Sequence, residues 1–188
     1  MKSADELLSE LLDREEIREL PLRYCDCVWR NDVAGIVDLF AEDGSFTVKT
    51  PNGETSHKGR DALIKTYTQG LNDLQPRPYI HNHVIELGYH GQASGRCYLD
   101  LRSEKRNMEW IGAGHYADEY VKVGDRWKFA SRYFTAVQFD PATVGRAARP
   151  AAKKASTARK PAPKKAAPRR AAAPRKKPVA ARAKPRRR

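Results

Sequence analysis

"GHYADEYVKVGDRWKFASR" (residues 114–132) reads as two strands joined by a tight turn. Aromatic and aliphatic residues alternate with polar ones on both sides of Gly124-Asp125-Arg126, the pattern of a half-buried hairpin. With the turn at those three residues, positions whose numbers sum to 250 face each other. Val123 then faces Trp127 and Val121 faces Phe129 on one side of the ribbon. Tyr116 faces Phe134, Asp118 faces Arg132 and Tyr120 faces Ala130 on the other. Asp118 and Arg132 become a candidate cross-strand ion pair, which on an open face adds under about 1 kcal/mol.

Working outward, "YIHNHVIEL" (79–87) and "QASGRCYLDLRS" (92–103) carry the same strand alternation. "GSFTVKT" (44–50) leads through Pro51-Asn52-Gly53 into a second short strand. "GRDALIKTYTQGLNDL" (59–74) is helical. At the N-terminal end, Leu7, Leu8, Leu11, Leu12, Ile17, Leu20 and Tyr24 recur three to four apart and predict one apolar helical stripe. Asp13 and Glu16 form a possible capping box that would start a second helix there, and Pro21 should kink or break it. "VAGIVDLFAED" (33–43) predicts a further short helix. Helices followed by antiparallel strands, in the order α-α-β-β-α-β-β-β-β, indicate an α+β domain.

The charge is unevenly placed. The chain has 188 residues and a formal net charge of +13. Of its 36 Lys+Arg, 18 lie between Arg146 and Arg188, a stretch without an acid; the first 145 residues hold the other 18 against all 23 acids, a net of −5. A mildly acidic domain over residues 1–140 therefore carries a strongly basic tail over 141–188. The tail is Lys/Arg/Ala/Pro low complexity without aromatics, so disorder is expected there. Its cations, among them Lys153, Lys154, Arg159, Lys160, Lys164, Lys165, Arg169, Arg170, Arg175, Lys176, Lys177, Arg186, Arg187 and Arg188, are candidates to neutralise the phosphates of nucleic acid or the charges of another polyanion. Contacts would go to the backbone, since nothing in the tail stacks on bases. "KPAPKKAAPRRAAAPRKKP" (160–178) resembles the tails of linker histones and histone-like bacterial proteins.

Cys25, Cys27 and Cys97 show neither a disulfide framework nor zinc spacing, so three reduced thiols and a cytoplasmic or nucleoid-associated setting are expected. The acidic "MKSADELLSELLDREE" lacks an apolar signal core, and no run approaches the ~20 apolar residues of a membrane span.

Five words, "REEIRELPLRYCDCVWRNDVAGIVDLFAEDGSFTV" (14–48), "GRDAL" (59–63), "HNHVIEL" (81–87), "GRCYLDLR" (95–102) and the opening hairpin, together resemble the SnoaL-like branch of the nuclear transport factor 2-like superfamily over about residues 10–139. The resemblance implies a cone: a curved antiparallel sheet wrapped around the N-terminal helices and enclosing an apolar cavity. It also implies a small apolar or aromatic ligand, with dimerisation through the outer sheet face usual in such folds. Dehydratase-like members carry an Asp near the end of the first long helix and a His early in the third strand. The matching positions here are Trp29 and Pro78, so both halves of that acid–base pair are replaced.

In "YIHNHVIEL" the odd positions include Ile85 and Leu87, which favour burial, and place His81 and His83 on the same, concave face. There a neutral imidazole serves as general base or orients a carbonyl, which makes His81 and His83 the candidate catalytic pair of a lyase or isomerase acting on a polycyclic or aromatic substrate. The other expected ligand contacts are Tyr24, Trp29, Phe46, Tyr67, Cys97 and Leu99. Trp110 falls on the same parity as Tyr116 and Tyr120, with His115 opposite unless Gly112 or Gly114 hosts a bulge. No third ligand stands at metal spacing beside the histidines, and neither a metal nor a cofactor is expected. The rival function is binding without turnover, which Trp29 and Pro78 favour.

Overall fold

The computed structural model describes residues 1–139. Along the chain lie α1 (Ala4–Trp29), α2 (Val33–Asp38), β1 (Phe40–Thr50), β2 (Gly53–Lys58), α3 (Arg60–Asp73), β3 (Pro76–Leu87), β4 (Gln92–Ser103), β5 (Glu109–Val123) and β6 (Arg126–Phe139). The order of elements is the one expected. The six strands form one curved, unclosed sheet in the order β2-β1-β6-β5-β4-β3. Every neighbouring pair is antiparallel except β1 and β6, which run parallel. That pairing joins the first strand to the last, and no local pattern announces it. The basic tail, with every residue proposed there for nucleic acid, lies outside the described residues.

The first helix differs from expectation in four ways. It is continuous, because its N-terminus is fixed at Ser3: Ser3 Oγ accepts from the Glu6 amide at 3.2 Å and Glu6 accepts from the Ser3 amide at 2.6 Å. Asp13 and Glu16 do not start a second helix but hold the tip of the β5–β6 hairpin. Asp13 accepts from Lys122 Nζ at 2.7 Å and Trp127 Nε1 at 2.8 Å, and Glu16 pairs with Arg126 at 3.0 Å. Pro21 sits inside the helix without ending it and is buried. The apolar stripe also divides. Ile17, Leu20 and Tyr24 are buried against the sheet, whereas Leu7, Leu8, Leu11 and Leu12 are each 55% or more exposed, because that end of α1 overhangs it. Periodicity reports which face is apolar, not whether anything covers it.

The second helix is shorter than its sequence suggests. Asp32 caps it through the Gly35 amide at 2.8 Å, and the chain is already strand at Phe40.

In the hairpin, Asp118 faces Arg132 and Tyr116 faces Phe134 as expected. Nearer the turn the register slips by one, so that Tyr120 faces Phe129, Val121 faces Lys128 and Val123 faces Arg126. Ala130 is the extra residue of a β-bulge, and the turn shortens to Gly124-Asp125, with Gly124 at φ +61°. The bulge puts Tyr120 and Phe129 side by side at 5.5 Å between ring centres, on the concave face with Tyr116 and Asp118.

A second bulge decides the histidines. In the β3–β4 ladder Ile80 pairs with Leu99 but Asn82 pairs with Tyr98, leaving His81 as the extra residue. Parity inverts there. His83, Ile85 and Leu87 turn inward, and His81 and Tyr79 turn outward.

β3 is an edge strand, and α1 lies against it. Carbonyls that cannot reach β4 are taken by α1 side chains: Pro78 O accepts from Cys25 Sγ at 3.1 Å and Trp29 Nε1 at 3.0 Å, and Ile85 O accepts from Arg14 at 3.2 Å.

Candidate functional site

Between α1, α3 and the concave sheet lies an apolar cavity of about 240 Å³. Tyr24 and Val28 of α1, Phe46 and Val48 of β1 and Tyr67 and Leu71 of α3 form one side. Leu101, Tyr116, Phe134 and Phe139 of the sheet form the other. Three of the expected ligand contacts, Tyr24, Phe46 and Tyr67, are therefore together, with the Phe46 and Tyr67 rings stacked at 5.2 Å. Tyr116 and Phe134 were legible as a facing pair in the hairpin. Leu101, Val48 and Phe139 carried no signal beyond strand parity.

The other expected contacts lie elsewhere. Cys97 and Leu99 point inward but are packed in the core, 0% and 1% exposed, and do not line the cavity. Trp29 leaves the helix on its other flank, edge-on to Tyr79 at 5.4 Å, in an outer hollow with Leu22 and Asp26. His81 is on the outer face, where Nε2 lies 3.0 Å from Asp100, and Asp100 also accepts from Trp110 Nε1 at 3.3 Å. Trp110 joins that outer face because Ile111 is the extra residue of a bulge against β4. His81 and His83 thus stand on opposite faces of the sheet, and the expected catalytic pair is not a pair.

His83 belongs to a buried polar network behind the cavity. Its Nε2 is 3.0 Å from Tyr120 Oη, and Tyr120 donates to Asp118 at 3.2 Å. Asp118 in turn lies 3.5 Å from Arg132, both side chains being fully buried, which corrects the open-face reading of that pair. The guanidinium is packed among aromatic faces, 3.6 Å from the Tyr116 ring centre, 4.1 Å from Tyr24 and 4.6 Å from Phe129. Gly95 leaves the room for this arrangement, since a Cβ there would come within 2.8 Å of His83 Nε2 and 3.0 Å of Tyr120 Oη.

Burial pushes Asp118 up to about 6 against the opposing pull of Arg132. Burial, aided by the charge of Arg132, pushes His83 down to about 4, so its imidazole is neutral at pH 7. Between its ordinary value of 6.5 and about 4 the unfolded chain takes up a proton that folded His83 refuses. Its contribution to stability is thus full above pH 6.5 and lost on acidification, while Asp118 contributes with the opposite slope over a similar range. His83→Gln is expected to flatten the acid limb. The stability difference from the wild type should shrink by about 1 kcal/mol between pH 7 and pH 4.5, a figure reduced for partial exposure. Urea titrations at the two pH values measure it, and a constant difference would show that His83 takes up its proton alike in the folded and unfolded chains.

Trp29 and Pro78, the two positions that the resemblance matches to an Asp and a His, are in contact here, Trp29 Nε1 donating to Pro78 O. Neither residue holds or releases a proton at neutral pH. Among the described residues no group of three His, Cys, Asp or Glu side chains could hold a metal ion, and no helix is long and apolar enough to cross a membrane.

Solved structures share this architecture. A candidate scytalone dehydratase from Novosphingobium aromaticivorans is 26% identical with TM-score 0.60, over 77% of this chain and 96% of its own. A protein of unknown function from Mycobacterium tuberculosis, Rv3472 carrying D26N, is 25% identical with TM-score 0.61, over 72% and 76%. A nuclear transport factor 2-like protein with a cystatin-like fold, also from Novosphingobium aromaticivorans, is 21% identical with TM-score 0.62, over 76% and 96%, and at that identity shows the fold alone. No curated protein matches the sequence. The sequence matches the SnoaL-like domain over residues 9–133, from the second turn of α1 to the strand that carries Arg132, and the chain belongs to that family.

Proposed function

We propose that the domain binds a small, compact, largely apolar molecule in the cavity between α1, α3 and the sheet, and that it does so without turnover. One observation carries this reading: the cavity walls are mostly aromatic and aliphatic, with Thr50 and Thr66 among them, while the positions matched to the acid–base pair of dehydratase-like members are Trp29 and Pro78, hydrogen-bonded to each other. A lyase or isomerase using His83 would need the imidazole at the ligand, and His83 is not among the residues lining the cavity. The basic tail supports a second role, the tethering of the domain to nucleic acid or another polyanion. Its basis is the separation of +18 in the tail from −5 in the rest of the chain. Pairing of two copies through the outer sheet face is part of the same proposal.

Gly70 gives the cavity a clean test. It lies on α3 beside the cavity, and a Cβ there meets nothing within 4 Å. Gly70→Trp should close the cavity without loss of stability, because glycine inside a helix costs about 0.8–1 kcal/mol relative to alanine. Calorimetric titration with tetralin, a two-ring hydrocarbon, is expected to show one saturable site in the wild type and none in G70W. Equal binding by both would place the ligand elsewhere.

A further inference from the structure

Six large apolar residues of α1 remain exposed, Leu7, Leu8, Leu11, Leu12, Leu22 and Trp29, each by between 38% and 63%. At about 3.6 residues per turn they fall on one side of the helix, and Ile17, Leu20 and Tyr24, which pack on the sheet, fall on the other. In the first turns the polar Glu6, Glu10 and Asp13 occupy the side that Ile17 and Tyr24 continue. The apolar side of α1 therefore switches at Asp13, and the leucines are turned away from their own domain.

The outward side has the spacing of a two-stranded seam. Leu8, Leu22 and Trp29 stand at the first position of a heptad, and Ala4 and Leu11 at the fourth. Between them, on the same seam, Glu15 and Arg18 form an ion pair at 3.4 Å. Polar groups inside a seam fix its register at a cost in stability. One flank of the seam is acidic, with Asp5, Glu19 and Asp26, and the other carries Arg14. In a parallel pair the flanks meet crosswise, the seventh heptad position of one helix against the fifth position of the next heptad on the other. Leu7 then meets the second copy's Leu12, and Arg14 meets the second copy's Glu19. An antiparallel pair would instead lay acidic flank on acidic flank. Arg14 and Glu19 already hold Glu10 and Arg23 on their own helix, so the contact between copies extends a row of charges.

We propose that the outward face of α1 pairs with the same face of a second copy, parallel and in register, as a short two-stranded coiled coil. The sheet of each copy lies on the far side of its helix, so the domains do not obstruct the seam. A lipid surface is the poorer partner, because residues 1–20 hold seven acids against three bases. This contact is separate from pairing through the outer sheet face and does not depend on it.

Sedimentation equilibrium of the full chain at physiological salt tests it. The apolar seam is short, so association should be weak, with a Kd of about 10–100 µM. The double variant Leu8→Gln, Leu11→Gln removes both leucines from each copy and should weaken association about 100-fold or more, halving the mass seen at high concentration. In dilute solution its melting temperature should match the wild type, since neither leucine is buried in its own domain. Glu19→Arg and Arg14→Glu should each weaken association about tenfold by setting like charges across the seam. An equimolar mixture of these two single variants should recover wild-type association, because each mixed pair again matches opposite charges. Neither a folding defect nor a contact within one copy would give that rescue. Equal masses for the wild type and L8Q/L11Q at every concentration would mean that a different molecule covers the leucines, and would overturn the proposal. Association that depends on the leucines but is not rescued by mixing would overturn the parallel register.

Discussion

Replacement of Arg132 by methionine is expected to lower the unfolding free energy by about 3–5 kcal/mol at pH 7. The guanidinium and the Asp118 carboxylate are both sealed from water, 3.5 Å apart, so removing the cation leaves an uncompensated charge in the interior. Asp118 must then take up a proton, and the loss should be smaller at pH 5 than at pH 7. The double variant Asp118→Leu, Arg132→Met removes both charges and should recover most of the stability, because an apolar pair of similar volume avoids the desolvation of two ions. Urea unfolding of the wild type, R132M and the double variant measures both effects. A single variant within about 1 kcal/mol of wild type would mean that water reaches the pair.

Removal of residues 146–188 should abolish retention of duplex DNA while leaving thermal unfolding almost unchanged. The removed segment holds 18 Lys+Arg and no acid, and the remaining chain is net −5, which repels a phosphate backbone. For the full chain, affinity should fall steeply with salt, by about 0.9 in logarithmic slope for each phosphate engaged, and scrambling the DNA sequence should matter little. Titration of both chains at two salt concentrations decides it. Undiminished binding by the shortened chain would put the contact on the folded domain.

The order of helices and strands was legible in the sequence because burial periodicity is a local signal. Tyr24, Phe46 and Tyr67 were legible as cavity residues for the same reason, once the cone was inferred. What failed was parity. A bulge adds one residue and sends every later side chain to the other face. Three such insertions, at His81, Ile111 and Ala130, separate the two histidines, turn Trp110 outward and bring Tyr120 against Phe129. None has a marker such as glycine at the inserted position. The Asp118–Arg132 pairing was readable by counting from the turn because two differences cancel: the turn is one residue shorter than its sequence suggests, and the bulge at Ala130 restores the count before the pair is reached. Its burial was not, because the cover comes from Tyr24 on a helix more than a hundred residues earlier. The exposed leucines mislead for the converse reason: Leu7, Leu8, Leu11 and Leu12 have the spacing of a core face but stand where the sheet has already ended.

The way α1 closes against β3 bears on how copies of the chain behave when crowded. An uncovered border strand is a template on which another chain can add itself, and long apolar ones seed fibres. Here the backbone oxygens of Pro78 and Ile85 are already occupied by Cys25, Trp29 and Arg14, and Pro76 and Pro78 have no amide hydrogen to offer. An incoming strand would have to strip those contacts before gaining its own. The opposite border, β2, is only six residues long and almost wholly polar, GETSHK, and ends at a lysine. Both ends of the sheet therefore discourage growth, one by prior occupation and the other by brevity and charge.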